Sequence, residues 1–102
     1  MKVEILKSND GSHTLYLPDM DETYHSRHGA VQEALHVFIQ NGLLFKANEQ
    51  KDLKVLEIGW GTGLNSLLTY KTAKENKLTV HYTGIEKYPV PNEVLTRLNY
   101  TD

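Results

Sequence analysis

The sequence predicts an α/β fold, a strand, glycine turn, helix and strand in succession, preceded by a β-hairpin and a helix. Three observations carry that expectation. Leu53 to Ile58 is a near-continuous apolar run interrupted only by Lys54 and Glu57, the pattern of a buried parallel strand. The turn Gly59-Trp60-Gly61-Thr62-Gly63 follows directly and leads into Leu64, Leu67, Leu68 and Tyr70, whose helical spacing extends to about Glu75. Leu78 to Ile85 then alternates Leu78, Val80 and Tyr82 and ends at Glu86, completing a βαβ unit.

The earlier elements follow from local chemistry. Val3, Ile5, Leu15 and Leu17 alternate with polar residues on either side of Asn9-Asp10-Gly11-Ser12, a hairpin turn by composition. Ser26 is the expected cap of a helix carrying Val31, Ala34, Leu35 and Phe38 on one face, and Asn41-Gly42 is its expected stop. Lys46 to Asp52 reads as a polar connector. The chain therefore divides into an accessory hairpin and helix, residues 1–45, and the first βαβ unit of a ligand-binding domain, residues 46–102.

Composition narrows the function classes. The 102 residues suffice for one small core, and 39% hydrophobic and 24% charged residues with three prolines indicate a globular chain. With no cysteine there is no disulfide framework, no thiolate zinc site and no cysteine nucleophile, which fits a cytoplasmic setting. His13, His25, His28, His36 and His81 form no carboxylate-supported ligand triad, so no metal is expected. The charged start, MKVEILKSNDG, is no signal peptide, and no apolar run approaches the roughly 18 residues of a membrane span. A formal net charge of -2 gives no general attraction to phosphate backbones. A nucleic-acid partner would find most of its basic contacts elsewhere.

The chemistry concentrates at Glu57-Ile58-Gly59-Trp60-Gly61-Thr62-Gly63-Leu64-Asn65. Glycines at 59, 61 and 63 permit positive φ and bare backbone against a ligand, while the next helix aims its amides at it. Glu86, at the carboxyl end of the second strand, stands where a doubly wound sheet places an acceptor for ribose hydroxyls. Loop and acid together indicate a nucleoside. A dinucleotide fingerprint requires glycine where Leu64 stands, and a P-loop requires lysine and a hydroxyl residue where Leu64-Asn65 stand. The remaining pattern, E-x-G-x-G-x-G from Glu57, resembles the first motif of class I S-adenosylmethionine-dependent methyltransferases, a Rossmann-like fold. Trp60 reads as packing within the turn and receives no ligand role.

The resemblance narrows further along the chain. Asp21-Glu22-Thr23-Tyr24-His25-Ser26-Arg27-His28-Gly29, then Glu33 and His36-Val37-Phe38-Ile39, precede the glycine loop, and Ile85-Glu86-Lys87-Tyr88-Pro89 follows it. Residues from about 14 to 91 resemble the bacterial tRNA 5-methylaminomethyl-2-thiouridine methyltransferases, with Trp60 where phenylalanine is usual. The resemblance implies that Gly59, Gly61 and Gly63 hug the methionine and ribose portions of S-adenosyl-L-methionine, that Glu57 supports the sulfonium end and that Glu86 holds the ribose. It implies that Tyr24 and Ser26 close over the cofactor and face the substrate amine, and that the intact protein meets tRNA. The family's catalytic aspartate is expected beyond residue 102, so the chain reads as an amino-terminal part, inactive alone, with an open sheet edge for self-association. The alternatives are a methyltransferase for a small-molecule or protein amine, and a non-catalytic nucleoside-binding subunit.

Overall fold

The computed structural model describes residues 2–100. Residues 1, 101 and 102, the outermost ends of the two expected divisions, lie outside the described residues. Strands β1 (Glu4–Lys7), β2 (His13–Leu17) and β3 (Glu22–Thr23) form one antiparallel sheet in that order, with Ile5 opposite Leu15 and Tyr16 opposite Thr23. The hairpin is as the alternation predicts; β3 is an addition. Leu17 to Asp21 turns back by bonding Met20 N–H to the Leu17 carbonyl at 3.1 Å, with Asp21 at φ 49, a left-handed position that aspartate tolerates.

One helical segment then runs from residue 30 to residue 47: α1 (Ala30–Glu33), a π-helix (Ala34–Leu44) and α2 (Phe45–Ala47). Its buried residues, Ala30, Ala34, Ile39, Leu43 and Ala47, recur at four- and five-residue steps, wider than an α-helix favours and suited to the wider π-turn. Two expectations are corrected here. Ser26 does not cap the helix: the cap position is Gly29, and the Ser26 hydroxyl accepts from His28 N–H at 3.1 Å instead. Nor does Asn41-Gly42 stop it, because Leu43 and Ala47 beyond the pair are buried in the core, and that burial outweighs the roughly 1 kcal/mol a helical glycine costs. The polar connector consequently starts after Ala47 rather than at Lys46.

The hairpin turn supplies the missing cap. Ser8 Oγ accepts from Ala30 N–H at 3.1 Å, Ser12 Oγ from Val31 N–H at 3.1 Å and Asp10 Oδ2 from Gln32 N–H at 2.9 Å. Three first-turn amides are thereby satisfied from 19–22 residues away in sequence. Burial alone would raise the Asp10 pKa, but hydrogen bonds from Ser12, Gln32 and Ser8 outweigh it and hold the carboxylate far below its ordinary range.

Strands β4 (Asp52–Ile58) and β5 (Thr79–Ile85) are parallel, joined by helix α3 (Leu64–Asn76), with Leu53 opposite Val80 and Val55 opposite Tyr82. The βαβ unit is present as the sequence predicts. Leu53, Leu64 and Leu68 share one core with the buried residues of the 30–47 segment, which fixes the hairpin block against the unit. The expectation of a fully buried strand is corrected: Leu56 and Ile58 are 65% and 73% exposed, because the helices cover only the face bearing Leu53 and Val55. Tyr70, expected on the inner face of α3, is likewise exposed. Among the described residues the β4 edge away from β5 has no strand partner. After β5 the chain makes a short helix, α4 (Asn92–Leu95), and returns to the hairpin. There Asn99 Oδ1 accepts from His13 N–H and Asn99 Nδ2 donates to the Gly11 carbonyl, at 2.9 and 2.8 Å. No helix among the described residues is long and apolar enough to cross a membrane.

Candidate functional site

The β4–α3 turn lies across the carboxyl ends of both parallel strands. Gly59 and Trp60 N–H donate to the Ile85 carbonyl at 2.8 and 3.2 Å, tying the loop to the end of β5. Gly59, Gly61 and Gly63 take φ of 82, 60 and 81 degrees, a region that side chains with a Cβ rarely enter. Gly59 faces open space, whereas a Cβ on Gly61 would lie 3.1 Å from the Tyr24 ring. A Cβ on Gly63 would lie 2.5 Å from the Trp60 ring, which also covers Gly84 on β5. Trp60 is therefore the packing element of the turn. The small residues around it are what give it room.

Glu86 stands directly beyond β5. Its Oε1 accepts from Gly61 N–H at 2.8 Å and its Oε2 from Tyr88 N–H at 3.1 Å. A carboxylate has about four acceptor positions, so roughly two remain for a ligand. Tyr24 is brought to the same place from the hairpin block. Burial, then the charge of Glu86, raises the pKa of its phenol and keeps it protonated. Beside them a cavity of about 190 Å³ is lined by Val3, Tyr24, Tyr88, Pro89, Val90 and Pro91. Two aromatic rings and two prolines make flat walls suited to a planar ring.

Glu57 is met by side chains where Glu86 is met by backbone amides. Its two oxygens accept from Tyr82 O–H at 2.7 Å and Asn65 Nδ2 at 2.8 Å, clamping β4 to β5 and to the first turn of α3. Burial, then the bond to Glu57, raises the Tyr82 phenol well above its ordinary pKa. Each Glu57 oxygen thus holds one side-chain donor, from β5 or from the start of α3. Ser26, bonded to His28 N–H, has no hydrogen bond to the loop. The structure thus brings Tyr24 and Glu86 to Gly61, places Gly63 against Trp60 and leaves Gly59 facing open space, with Glu57 bonded to Tyr82 and Asn65 and Ser26 to His28.

One set of side chains escaped the sequence reading. Thr62, only 5% exposed, lies with Oγ1 3.2 Å from His25 Nε2 and 3.2 Å from the Tyr100 hydroxyl. A hydroxyl residue between two buried glycines requires hydrogen-bond partners, and that requirement was the available signal. Sequence position gave no hint that His25 and Tyr100, 75 residues apart, supply them. Among the described residues no three His, Asp or Glu side chains gather as a metal site.

No family model matches the chain. It is 37% identical over 100 residues to the tRNA 5-methylaminomethyl-2-thiouridine biosynthesis bifunctional protein MnmC of Cupriavidus metallidurans, covering 94% of this chain and 15% of that protein. The protein of the same name from Leptospira interrogans is 36% identical over 83 residues, covering 76% of this chain and 13% of its own length. The chain thus spans about one seventh of these curated relatives. The crystal structure of MNMC2 from Aquifex aeolicus superposes with a TM-score of 0.77 at 35% identity, over 87% of this chain and 30% of that one.

Proposed function

From the premise that this chain is a homologue of one segment of the MnmC proteins, we propose that it is the S-adenosylmethionine-binding part of a tRNA-modifying methyltransferase. In this reading residues 46–102 are the first βαβ unit of a class I, Rossmann-like domain, and residues 1–45 cover its site. The observation that carries it is Glu86, its carboxylate bonded to Gly61 N–H with about two acceptor positions open beside three positive-φ glycines. A ribose diol needs two adjacent acceptors. The flat cavity between Tyr24 and Tyr88 suits the base, and Gly59, which faces open space, suits the methionine portion. Glu57, held by Tyr82 and Asn65, supports the sulfonium end as a nearby carboxylate.

S-adenosylmethionine, when bound, supplies an electrophilic methyl group. The substrate is the exocyclic amine of 5-aminomethyl-2-thiouridine in tRNA, and transfer to it is an in-line displacement that depends on alignment and on exclusion of water. Tyr24, protonated and resting on Gly61, shields the opening; Ser26 stands on the substrate side. No residue of this chain is assigned as the base.

Glu86→Ala tests the reading in the intact protein. It removes a charged acceptor of two hydroxyls, each such bond being worth about 1.5–3 kcal/mol, so affinity for S-adenosylhomocysteine by calorimetry is expected to fall roughly a hundredfold or more. Protection against heat by S-adenosylhomocysteine but not by NAD is expected alongside it. Unchanged affinity in the variant, or protection by NAD alone, overturns the assignment.

A further inference from the structure

We infer that His25 is a positioning residue of the glycine loop, the first donor in a one-way chain of hydrogen bonds through Thr62 and Tyr100 that holds the loop in its nucleoside-binding shape. The inference rests on the nucleoside reading above for its functional consequence, and on proton counting for the chain itself.

Three of the five residues from 59 to 63 are glycines at positive φ, so backbone preference alone does little to select one loop shape. Two side chains of the loop itself add to the bonds that Ile85 and Glu86 accept from its backbone. Trp60 does so by packing against Gly63 and Gly84, and Thr62 by hydrogen bonding. The direction of those bonds is determined. Tyr100 O–H lies 2.7 Å from the His13 carbonyl, which only accepts, so the phenol's single proton is committed there. Toward Thr62 the phenol oxygen must accept, and the Thr62 proton is committed to it. His25 Nε2 is then required to donate to Thr62 Oγ1. The order is His25 Nε2–H to Thr62 O–H to Tyr100 O–H to the His13 carbonyl. Reversing the first link would strip the His13 carbonyl of its donor at the shortest bond of the three.

The backbone that carries the first donor is itself held. His25 N–H donates to Thr14 Oγ1 at 2.8 Å, and the Thr14 hydroxyl donates to the His25 carbonyl at 3.2 Å, with Thr14 fully buried in β2. Burial lowers the imidazole pKa, outweighing the opposing charges of Glu57 on β4 and Glu33 on α1, so the neutral ring predominates at neutral pH. The chain therefore starts on the hairpin sheet, crosses the loop and returns to the hairpin at His13. It passes through the residue between Gly61 and Gly63, and Tyr24, the neighbour of His25, rests on Gly61. Displacing Thr62 would move the amide that Glu86 accepts from, and with it the ribose acceptors.

Two measurements on the intact protein test this. In histidine-labelled protein one Nε2–H proton, absent in His25→Gln, is expected to be protected from exchange and to lose that protection in Thr62→Val. An Nδ1–H tautomer at His25, or protection indifferent to Thr62→Val, overturns the chain. For S-adenosylhomocysteine, His25→Phe and Thr62→Val are expected to weaken binding about tenfold or more, and Tyr100→Phe, the mildest change, about threefold. His25→Gln, whose amide nitrogen replaces Nε2–H, is expected to restore affinity to within about threefold. Affinity is read well below each variant's unfolding midpoint, so a residue serving stability alone leaves it unchanged. Wild-type affinity in folded His25→Phe and Tyr100→Phe, or a glutamine variant no better than phenylalanine, overturns the positioning role. Failure of the wild type to bind S-adenosylhomocysteine overturns the nucleoside reading instead, and leaves the tautomer and exchange result standing.

Discussion

Two turns in this chain each precede or meet a helix start, and they treat it in opposite ways. The hairpin turn, residues 8–12, delivers a carboxylate and two hydroxyls to the first turn of α1. The glycine turn, residues 59–63, enters α3 through Gly63 with no side-chain cap. A helix start holds unsatisfied amides wherever it occurs. Where it serves the fold, as at Ala30, the protein closes it with its own side chains. At α3 the cap residue offers no side chain, and the nearby Gly61 amide is met by Glu86, whose carboxylate keeps about two further acceptor positions.

Glycine substitutions separate the turns most strongly. Gly63→Ala incurs left-handed strain of about 1–2 kcal/mol and a collision with Trp60 of about 1–3 kcal/mol, so a loss of about 2–5 kcal/mol is expected in chemical denaturation. Gly11→Ala in the hairpin turn has similar φ, 86 degrees, but its Cβ would meet only the Lys7 side chain at 4.0 Å. Its loss is expected to be the conformational part alone, about 1–2 kcal/mol. Replacing Trp60 by leucine beside Gly63→Ala should recover the collision and leave the strain. Equal losses at Gly11 and Gly63 would mean that Trp60 yields readily and does not brace the loop.

The next effect belongs to the hairpin turn. Asp10 accepts from Gln32 N–H at 2.9 Å, Ser12 N–H at 3.0 Å and the Ser8 hydroxyl at 2.9 Å, and also from the Ser12 hydroxyl. Asp10→Ala is expected to destabilise the chain by about 1–3 kcal/mol. Because its native pKa is depressed, Asp10 contributes fully above its unfolded pKa, and the contribution is lost as pH falls below about 4. Denaturation midpoints followed from pH 6 down to pH 2 should show the wild type losing its advantage over Asp10→Asn. Parallel curves for the two proteins would remove Asp10 from the cap.

The two regions also differed in how far the sequence disclosed them. In the βαβ unit the apolar run, the glycines and Glu86 are contiguous signals, and β4, α3 and β5 fall within a residue or two of their expected ends. Glu86 reaches Gly61 because the loop and the end of β5 adjoin in any βαβ unit, whereas Tyr24 reaches it from the hairpin block. The hairpin block depends on long-range partners that no window displays. Ser8 and Ser12 read as turn residues, yet their partners are amides at 30 and 31. Asn41-Gly42 carries a strong local stop signal, overridden by burial of Leu43 and Ala47 against a core that includes Leu53 and Leu68. Leu56 and Ile58 follow a third rule, since an apolar side chain signals a covered face without revealing what covers it.

The smallest expected effect tests Ser26, singled out by local pattern as a helix cap and by the family resemblance as a residue facing the substrate amine. In the structure Ala30, Val31 and Gln32 N–H are served from the hairpin turn, and Ser26 Oγ accepts only from His28 N–H, at an exposed bend two residues away. A bond of that kind competes with water and is worth about 0.5 kcal/mol, whereas removing a working cap costs about 1 kcal/mol and a buried one more. Ser26→Ala is therefore expected to shift stability by about 0.5 kcal/mol or less, against about 1–2 kcal/mol for Ser8→Ala, whose hydroxyl is buried and bonded to Ala30 N–H, the Ser12 carbonyl and Asp10. Affinity for S-adenosylhomocysteine should be unchanged in both. The substrate-facing reading of Ser26 then has its own measurement: in the intact protein, methyl transfer to tRNA bearing 5-aminomethyl-2-thiouridine should fall in Ser26→Ala while cofactor affinity stays level. A stability loss at Ser26 equal to that at Ser8 would restore it as a cap, and unaltered transfer would detach it from the substrate.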